Sequence, residues 1–459
     1  MEKNAHKKLF GTDGIRGTPG EYPLTDEMIF RIGSGVAHHL RKIQKENVKQ
    51  KIVIGKDTRA TSSHLEGILA TTITVHNIEA LGAGFITTPG LSFLVKKTGA
   101  DMGIMISASH NRAQDNGIKL FDTQGFKLSE VEEADIEDMI FSDEVHAPDD
   151  ISTFPKHQPA PLKSARKDYV NFLLSTMEGF DLKGVKVALD CACGATSPFA
   201  KRVLKDLGAA VFAINDKPHG DNINTGGALD PEELCDLVLT KKADMGLALD
   251  GDGDRGIVVD DKGNILDGDR ILAIAARYLL KKGRLAKKTV VATVMSNIGL
   301  RQAIAESGGK IICTKVGDKY VLEEIRKNDL TLGGEQSGHI IFYEYLPTPD
   351  GIVTGLQMLK VMKNDRVPLS VLAECMTKFP QILVNIPVTE KRPFEKMPSV
   401  SSSLKRFNDQ LKDEGRILLR YSGTEQLARV MVEGKDKGSI TEIANSLADE
   451  IKKEIGAGC

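Results

Sequence analysis

The chain has 459 residues, with 61 Lys and Arg against 63 Asp and Glu for a formal charge of −2, and it contains no tryptophan. Near-neutrality excludes a protein built to neutralise nucleic-acid or membrane phosphates, and no apolar run approaches the ~18 residues of a membrane span. At about 150 residues per domain the length predicts roughly three domains. Its 44 glycines, against a usual share of ~7%, point to tight loops where backbone approaches a ligand.

At the N-terminus, Phe10-Gly11-Thr12-Asp13-Gly14-Ile15-Arg16-Gly17 sets an arginine in a glycine-rich loop. Three later segments share one layout. The first runs from Ile52 (IVIGKDTR) through a helical stretch to Leu81-Gly82 and a second apolar strand ending at Thr88-Pro89. The second starts at Val185 (VKVALDCACGATSP) and closes its helix at Leu207-Gly208; the third starts at Val290 (VVATVMSN) and closes at Gly308-Gly309. Each reads as a buried strand, a small-residue turn, a helix closed by glycine and a further apolar strand. That is a right-handed β-α-β crossover with parallel pairing. The tail differs. From about Pro368 it predicts a helix, the strand QILVNIPV, the helix SSSLKRFNDQLK, the strands RILLRYS and LARVMVEG, and a last helix ITEIANSLADEIKKE. Alternation in LARVMVEG predicts one covered and one wet sheet face. The expected fold class is α/β: three related α/β domains with mixed, largely parallel sheets, then a C-terminal α+β domain. Boundaries are set at 1–157, 158–256, 257–367 and 368–459, with charged, proline-bearing joints near 147–161 and 362–368.

Four motifs carry chemistry. Ile106-Ser107-Ala108-Ser109-His110-Asn111 follows an apolar strand and leads to Asp115-Asn116-Gly117-Ile118-Lys119. Its serines sit at a strand's carboxyl end, where α/β domains bind ligands. No G-x-S-x-G elbow surrounds them, so hydrolase chemistry is not indicated; a plain polar loop would read the same way. Asp250-Gly251-Asp252-Gly253-Asp254-Arg255 follows the strand Met245–Leu249. Carboxylates at i, i+2 and i+4 can curl around one hard cation, and oxygen ligands suit Mg²⁺. A calcium loop is the poorer reading, because Arg255 stands where that loop needs glycine and Asp261 where it needs glutamate; an acidic turn without a ligand is the other alternative. Gly333-Gly334-Glu335-Gln336-Ser337-Gly338-His339 pairs a carboxylate and a hydroxyl suited to sugar hydroxyls with an imidazole able to move protons. Arg420-Tyr421-Ser422-Gly423-Thr424-Glu425, with Arg429 beyond, offers guanidinium, hydroxyls and a glycine-freed backbone as a phosphate clamp. The last two would also serve as ordinary turns.

FGTDGIRG, ISASHN, DNGIK, DGDGDR, KVGDKYV, GGEQSGH and SGTE, in this order, resemble the α-D-phosphohexomutase superfamily across essentially the whole chain. The resemblance implies a C-terminal TATA-box-binding-protein-like domain and four domains around a central cleft. It implies a phosphoserine at Ser109, and one Mg²⁺ per chain held by Ser109, Asp250, Asp252 and Asp254 with Arg255 beside it. Glu335 and Ser337 would bind sugar hydroxyls. Arg420, Ser422, Gly423, Thr424 and Arg429 would bind the non-reacting phosphate, and Arg16, Lys119 and His339 match acid/base or phosphate-contacting positions. Gln336 resembles the glucosamine branch, where glucose and mannose enzymes carry methionine. The implied reaction interconverts glucosamine 6-phosphate and glucosamine 1-phosphate through a sugar 1,6-bisphosphate, which also serves as activator, and feeds UDP-N-acetylglucosamine and cell-wall precursors. Phosphomannomutase/phosphoglucomutase activity is the alternative, and a silent sugar-phosphate-binding paralogue a further one. The implied partner is a small hexosamine phosphate, with a homodimer by resemblance and neither nucleic acid nor membrane.

Several positions depart from the superfamily pattern. Arg112 replaces a proline, Ala113-Gln114 a bulkier pair, Lys319 an arginine, Gln426 a proline, Ala428 a larger apolar residue and Cys193 an asparagine, while Ala60-Thr61-Ser62-Ser63 replaces the usual continuation of GKDTR. None removes a catalytic atom. Cys191 and Cys193 read as structural thiols at a strand end. The opening MEKNAHKKLFG lacks an apolar stretch, so no secretory leader is expected; with irregularly spaced cysteines this predicts reduced thiols and a cytoplasmic address. No G-x-G-x-x-G after a first strand and no GxxxxGK[ST] is present, which argues against a dinucleotide or P-loop enzyme.

Overall fold

The computed structural model describes residues 9–11, 13–43, 49–148, 157–422 and 426–457. They form two compact units, Met1–Val294 with Ile311–Glu374, and Met295–Lys310 with Cys375–Cys459.

The first unit contains three sheets. Strands β1 (Ile15–Gly17), β2 (Lys51–Lys56), β3 (Glu79–Phe85), β4 (Met102–Ile106), β5 (Asn116–Phe121) and β6 (Ala160–Pro161) form one sheet, in the order β1-β5-β4-β2-β3-β6. Parallel pairing joins β2 to β3 and β4, while β5 returns antiparallel to β4. Ile52–Gly55 of β2 and every residue of β4 are buried, which is why IVIG and MGIMI are unbroken apolar runs and not alternating ones. Next come β7 (Lys186–Asp190), β8 (Ala210–Ile214), β9 (Met245–Leu249), β10 (Gly256–Val259) and β11 (Ile265–Leu266), ordered β11-β10-β9-β7-β8. Here β9 runs parallel to β7 and β10 returns antiparallel to β9, so this sheet extends beyond residue 256 to Leu266. The third sheet has β12 (Thr289–Thr293), β13 (Lys310–Thr314), β14 (Leu332–Gly334) and β15 (Ile340–Phe342), ordered β13-β12-β14-β15. Again β14 is parallel to β12 and β15 returns antiparallel. Serine, aspartate and glutamate motifs therefore occupy one topological position: the turn between a parallel strand and its antiparallel return.

The first crossover differs from its expected form. Its helix is Ser62–Val75, closed through His76 and Asn77, whose φ of 59° supplies the left-handed step; Leu81-Gly82 lies inside β3. Asparagine tolerates that conformation through its short polar side chain. Thr88 and Pro89 open a helix, Thr88–Thr98, instead of ending a strand. In the second crossover the helix Ala200–Asp206 is followed by Gly208 at φ 95°, and in the third Ile298–Glu306 is followed by Gly308 at φ 77°.

In the second unit, β16 (Gln381–Pro387), β17 (Gly415–Tyr421) and β18 (Leu427–Gly434) form an antiparallel sheet with β18 in the centre. Ala428, Val430 and Val432 pack into a core with Ile440, Ala444, Leu447 and Ile451 of the helix Lys437–Ile455. The opposite face is not wet throughout: Met431 and Glu433 are also buried. Glu433 accepts from Arg416 Nε and from Asn297 Nδ2 (3.2 Å), and Asn297 also exchanges two hydrogen bonds with the backbone of Phe379. Period-two alternation reports the face turned to the sheet's own helices and is blind to a segment arriving from 295–310.

Asp350 ties the first unit together. Its Oδ1 caps the helix Gly351–Asp365 through the amides of Ile352 (2.9 Å) and Val353 (3.0 Å), while Oδ2 accepts from Tyr169 Oη (2.8 Å), itself bonded to Thr87 Oγ1 (3.0 Å). Burial raises the carboxyl to about 6, against the stabilising bonds from Val353, Tyr169 and Ile352. Because this folded value exceeds the usual ~4, Asp350 contributes stability that is complete below pH ~4 and is lost as the pH rises through about 6. Asp350→Asn keeps the cap and removes this titration. Between pH 4 and pH 7 the wild type should lose about 2–3 kcal/mol relative to the variant, read as diverging melting temperatures; parallel pH profiles would refute it.

Candidate active site

Ser109 follows β4 in the left-handed region (φ 50°), an unfavourable place for serine that persists where the surroundings over-determine it. Arg59 is that surrounding. Its side chain is fully buried, and it spends its donors on Asp57 Oδ2 (2.9 Å) and on the carbonyls of Ser109 (2.9 Å), Asn111 (3.0 Å), Asp115 (2.9 Å) and Arg112. Asp57 in turn accepts from Ser107 Oγ (2.7 Å), which accepts from the Ser109 amide (2.9 Å). Burial pushes the Asp57 carboxyl up, and Arg59 and Ser107 oppose it. These constraints aim Ser109 Oγ at Asp250 Oδ2, 3.0 Å away, with His110 Nδ1 at 3.3 Å. Burial and the neighbouring Arg255 and Arg16 cations hold His110 down at about 4, hence neutral.

Asp250, Asp252 and Asp254 are all buried, and one oxygen of each lies within 4.8 Å of the other two. Asp250 Oδ1 accepts from the amides of Gly253 (3.0 Å) and Arg255 (3.1 Å), which curls the loop upon itself. Gly253 sits at φ 76°, and a Cβ there would stand 2.6 Å from Thr196 Cγ2, so the curl requires glycine. Burial and then repulsion from Asp254 and Asp252 push Asp250 above the usual carboxylate range. Asp252 Oδ2 accepts from Thr88 Oγ1 (2.6 Å) and Lys119 Nζ (2.8 Å), whereas its Oδ1 is buried and, among the described residues, receives no hydrogen bond. An orphaned buried carboxylate oxygen within an all-oxygen donor set fits a hard divalent cation.

Cations surround the triad. Lys119 Nζ lies 2.8 Å from Asp252, 2.9 Å from Asp13 and 3.5 Å from Asp254. Against burial, these three carboxylates raise Lys119 far above the ordinary lysine value and keep it an ammonium. Lys127, bridging Asp13 (2.6 Å) and Asp318 (2.8 Å), is raised likewise. Arg16 pairs with Asp13 and donates to Asn111 Oδ1 (2.8 Å), joining the N-terminal loop to the serine loop. His339 faces Asp254 through Nε2 (3.2 Å) and Glu335 through Nδ1 (3.0 Å). Burial pulls its value down, but Asp254 and Glu335 raise it to about 10, so the ring is held as imidazolium. Arg255 reaches His339 (3.1 Å) and His110 (2.9 Å). Glu335 Oε1 accepts from the Gly317 amide (2.8 Å), and Ser337 is exposed with Oγ 3.2 Å from His339 Nδ1. Gln336 turns its amide toward Asp267 (3.4 Å).

Arg16, Ser109, Lys119, Asp250, Asp252, Asp254, Arg255, Glu335, Ser337 and His339 thus come together in the first unit. Arg420, Ser422 and Arg429 belong to the second, where Arg420 and Arg429 stand directly opposite on β17 and β18. Facing guanidiniums repel, and burial and Arg429 lower Arg420; an anion would relieve both. Arg429 Nη2 lies 3.4 Å from Ser422 Oγ, and Lys391 Nζ donates to the Ser422 carbonyl (2.7 Å). Gly423 and Thr424 lie outside the described residues. Asp13, Asp57, Arg59, Lys127, Asp318 and Lys391 were not singled out from the sequence. Asp13 and Asp318 lie inside the quoted FGTDGIRG and KVGDKYV, without a role assigned to them, and the D-T-R of GKDTR, charged residues directly after a buried strand, carried the signal for Asp57 and Arg59. Among the departures, Arg112 offers only its carbonyl to Arg59, and Lys319 pairs with Glu133 (3.1 Å). Cys191 and Cys193 are buried free thiols. No described helix is long and apolar enough to cross a membrane.

Four family models match the chain in order: phosphoglucomutase/phosphomannomutase alpha/beta/alpha domain I over residues 7–146, domain II over 167–263, domain III over 267–379 and the C-terminal domain over 383–450. Phosphoglucosamine mutase of Geobacter metallireducens is 47% identical over 452 residues, covering 98% of this chain and 99% of that protein. That of Anaeromyxobacter sp. is 43% identical over 456 residues, covering 98% and 96%. Among solved structures, a phosphoglucomutase/phosphomannomutase family protein from Burkholderia thailandensis superposes with a TM-score of 0.79 at 21% identity, covering 97% of each chain. N-acetylphosphoglucosamine mutase of Aspergillus fumigatus, in complex with GlcNAc-6P and magnesium, superposes at 0.66 with 19% identity over 97% and 95%.

A cation in the aspartate loop should appear as stabilisation by mass action, about 2.7 kcal/mol at a hundredfold excess over Kd. Mg²⁺ or Mn²⁺ should raise the melting temperature of the wild type and leave that of Asp252→Asn unmoved, with both proteins melting within a few degrees of each other in chelator. Equal shifts would make the loop a plain acidic turn.

Proposed function

The chain belongs to the phosphoglucomutase/phosphomannomutase family, and from that premise we propose that it interconverts glucosamine 6-phosphate and glucosamine 1-phosphate. Relatives matched over 98% of the chain at 43–47% identity are phosphoglucosamine mutases, which supports the amino sugar over mannose or glucose phosphates. The observation that carries the chemistry is Ser109 Oγ, 3.0 Å from Asp250 beside three buried carboxylates.

In this reading Ser109 carries a phosphoryl group. The P–O bond to Oγ breaks as a new one forms to a sugar hydroxyl, whose proton in the net transfer replaces the phosphoryl group on Oγ. The product is a sugar 1,6-bisphosphate, a class of molecule found with a fungal structural neighbour as glucose 1,6-bisphosphate. After the bisphosphate reverses, its other phosphoryl returns to Oγ. Transfer of this kind needs positioning and charge neutralisation above all. Lys119, fixed as an ammonium by Asp13, Asp252 and Asp254, supplies neutralising charge. His339, an imidazolium braced by Glu335, has a proton to give to the departing oxygen, and Arg16 is the further phosphate-contacting group. Mg²⁺, when bound by Asp250, Asp252, Asp254 and the seryl oxygens, would draw charge from the transferring phosphoryl. Arg255, Glu335 and Ser337 would hold the sugar. Arg420, Ser422, Gly423, Thr424 and Arg429 would grip the phosphate that does not react, and the opposed Arg420 and Arg429 support that role. Four domains, with the second carried on to Leu266 by β10 and β11 and the other boundaries as set above, a homodimer and a cytoplasmic address complete the reading.

Mass spectrometry of wild type should find about 80 Da added at Ser109, absent from Ser109→Ala, and that variant should lose turnover by several orders of magnitude. Normal turnover without the hydroxyl would end the phosphoserine scheme. In a coupled assay primed with glucose 1,6-bisphosphate, kcat/KM should favour glucosamine 6-phosphate over mannose 6-phosphate; a mannose preference reassigns the substrate. Arg420→Ala should raise KM at least tenfold with the smaller effect on kcat.

A further inference from the structure

The three aspartates share one loop within a single sheet, but Ser109 arrives from another sheet. Something must set the distance between the two loops. Between them stands Asn224, on the turn that precedes the helix Glu232–Lys241. Its Nδ2 donates to the carbonyls of Ser109 and Asn111, both at 2.9 Å, and its Oδ1 accepts from the Gly251 amide at 2.8 Å. One carboxamide thereby grips the backbone on each side of the reacting centre: at Ser109 itself, and between Asp250 and Asp252. The partners dictate its orientation, because the reversed amide would turn an oxygen on two carbonyls and an NH₂ on an N–H.

The clamp is itself held. The Asn224 amide donates to Ala192 O (2.7 Å), its φ of 63° is one asparagine accepts, and the preceding Ile223 is buried. Asn222 fastens the same turn to Cys193 Sγ (3.0 Å) and the Lys217 carbonyl (3.1 Å). Contact between the loops is close enough to exclude a side chain: a Cβ at Gly251 would stand 2.9 Å from both Asn224 Oδ1 and the Ser109 carbonyl. Arg59 donates to the same two carbonyls, of Ser109 (2.9 Å) and Asn111 (3.0 Å), but it comes from the serine loop's own sheet, whereas Asn224 also holds Gly251 of the acidic loop.

We propose that Asn224 is a positioning residue that sets the separation between the Ser109 oxygen and the aspartate triad by hydrogen-bonding both loops at once. The proposal rests on Ser109 being the phosphoryl carrier. Misplacing reacting groups by about 1 Å can cost on the order of a hundredfold in rate. Asn224→Ala removes the clamp, and Asn224→Asp places a carboxylate against two carbonyls.

In the full chain, both variants should lower kcat about a hundredfold, the aspartate at least as much as the alanine, with KM for glucosamine 6-phosphate within about twofold of wild type. Mn²⁺ affinity, followed by electron paramagnetic resonance, should fall far less than kcat, since three of the four residues that would hold the ion keep their own loop, and melting temperatures should move by only a few degrees. A kcat for Asn224→Ala within about threefold of wild type would overturn the clamp. So would a loss of Mn²⁺ affinity or of folding in step with kcat, which would make Asn224 a support of the acidic loop or of the fold. A wild type lacking phosphate on Ser109, with Ser109→Ala still active, would sink the carrier reading itself; phosphoserine intact in wild type beside unimpaired Asn224 variants sinks the clamp alone.

Discussion

Three carboxylates buried within 4.8 Å of one another are the constraint on which the rest of the first unit depends. Like charges so close, away from water, cannot all ionise without compensation. The surrounding groups answer that demand in layers. Lys119 touches three aspartates, Lys127 holds the Asp13 that Lys119 shares, and His339 is kept protonated by Asp254 and Glu335. Each of these cations is buried or nearly so, and each is charged because the aspartates are there. In the proposed function a divalent ion and a phosphoryl group would complete this arrangement, one supplying positive charge to Asp252 Oδ1 and the other anionic oxygens to the lysine.

Topology explains how the groups meet. In each of the three sheets a parallel strand is followed by an antiparallel return, and the turn between them carries the chemistry: Ser109 between β4 and β5, Asp250 to Asp254 between β9 and β10, Glu335 to His339 between β14 and β15. Carboxyl ends of parallel strands are where open α/β sheets bind ligands. Repeating one unit three times therefore produces three equivalent loops with different side chains, to which the proposed function gives different tasks: a hydroxyl to carry phosphate, carboxylates for a cation, a glutamate and a histidine for the sugar and its proton.

The motifs were legible because their chemistry is local. DGDGDR holds three carboxylates and the glycines that let them converge within six consecutive residues, and ISASHN places its serine directly after an apolar strand. Supporting residues were not legible in the same way. Asp57 and Arg59 look like an ordinary charged turn until the 109–115 backbone is laid across them, and Asn224 looks like a loop asparagine until Ser109 and Gly251 arrive on either side. Misread details share that cause. Leu81-Gly82 has the form of a helix stop, but Asn77 had already ended the helix; Glu433 has the spacing of a solvent-facing residue, but Asn297 and Arg416 cover it.

Sequence alone determined the class of chemistry, the α/β architecture with its distinct tail, and the identity of the groups in the candidate site, because period, composition and short motifs are properties of neighbouring residues. Tertiary structure alone decided the charge states and the distances. Whether His339 is an imidazolium, which aspartate is pushed up and which held down, and how Ser109 faces Asp250 at 3.0 Å all depend on groups that different strands and loops bring together in a buried space. Coulomb interactions and desolvation act through that space, and no spacing along the chain encodes it.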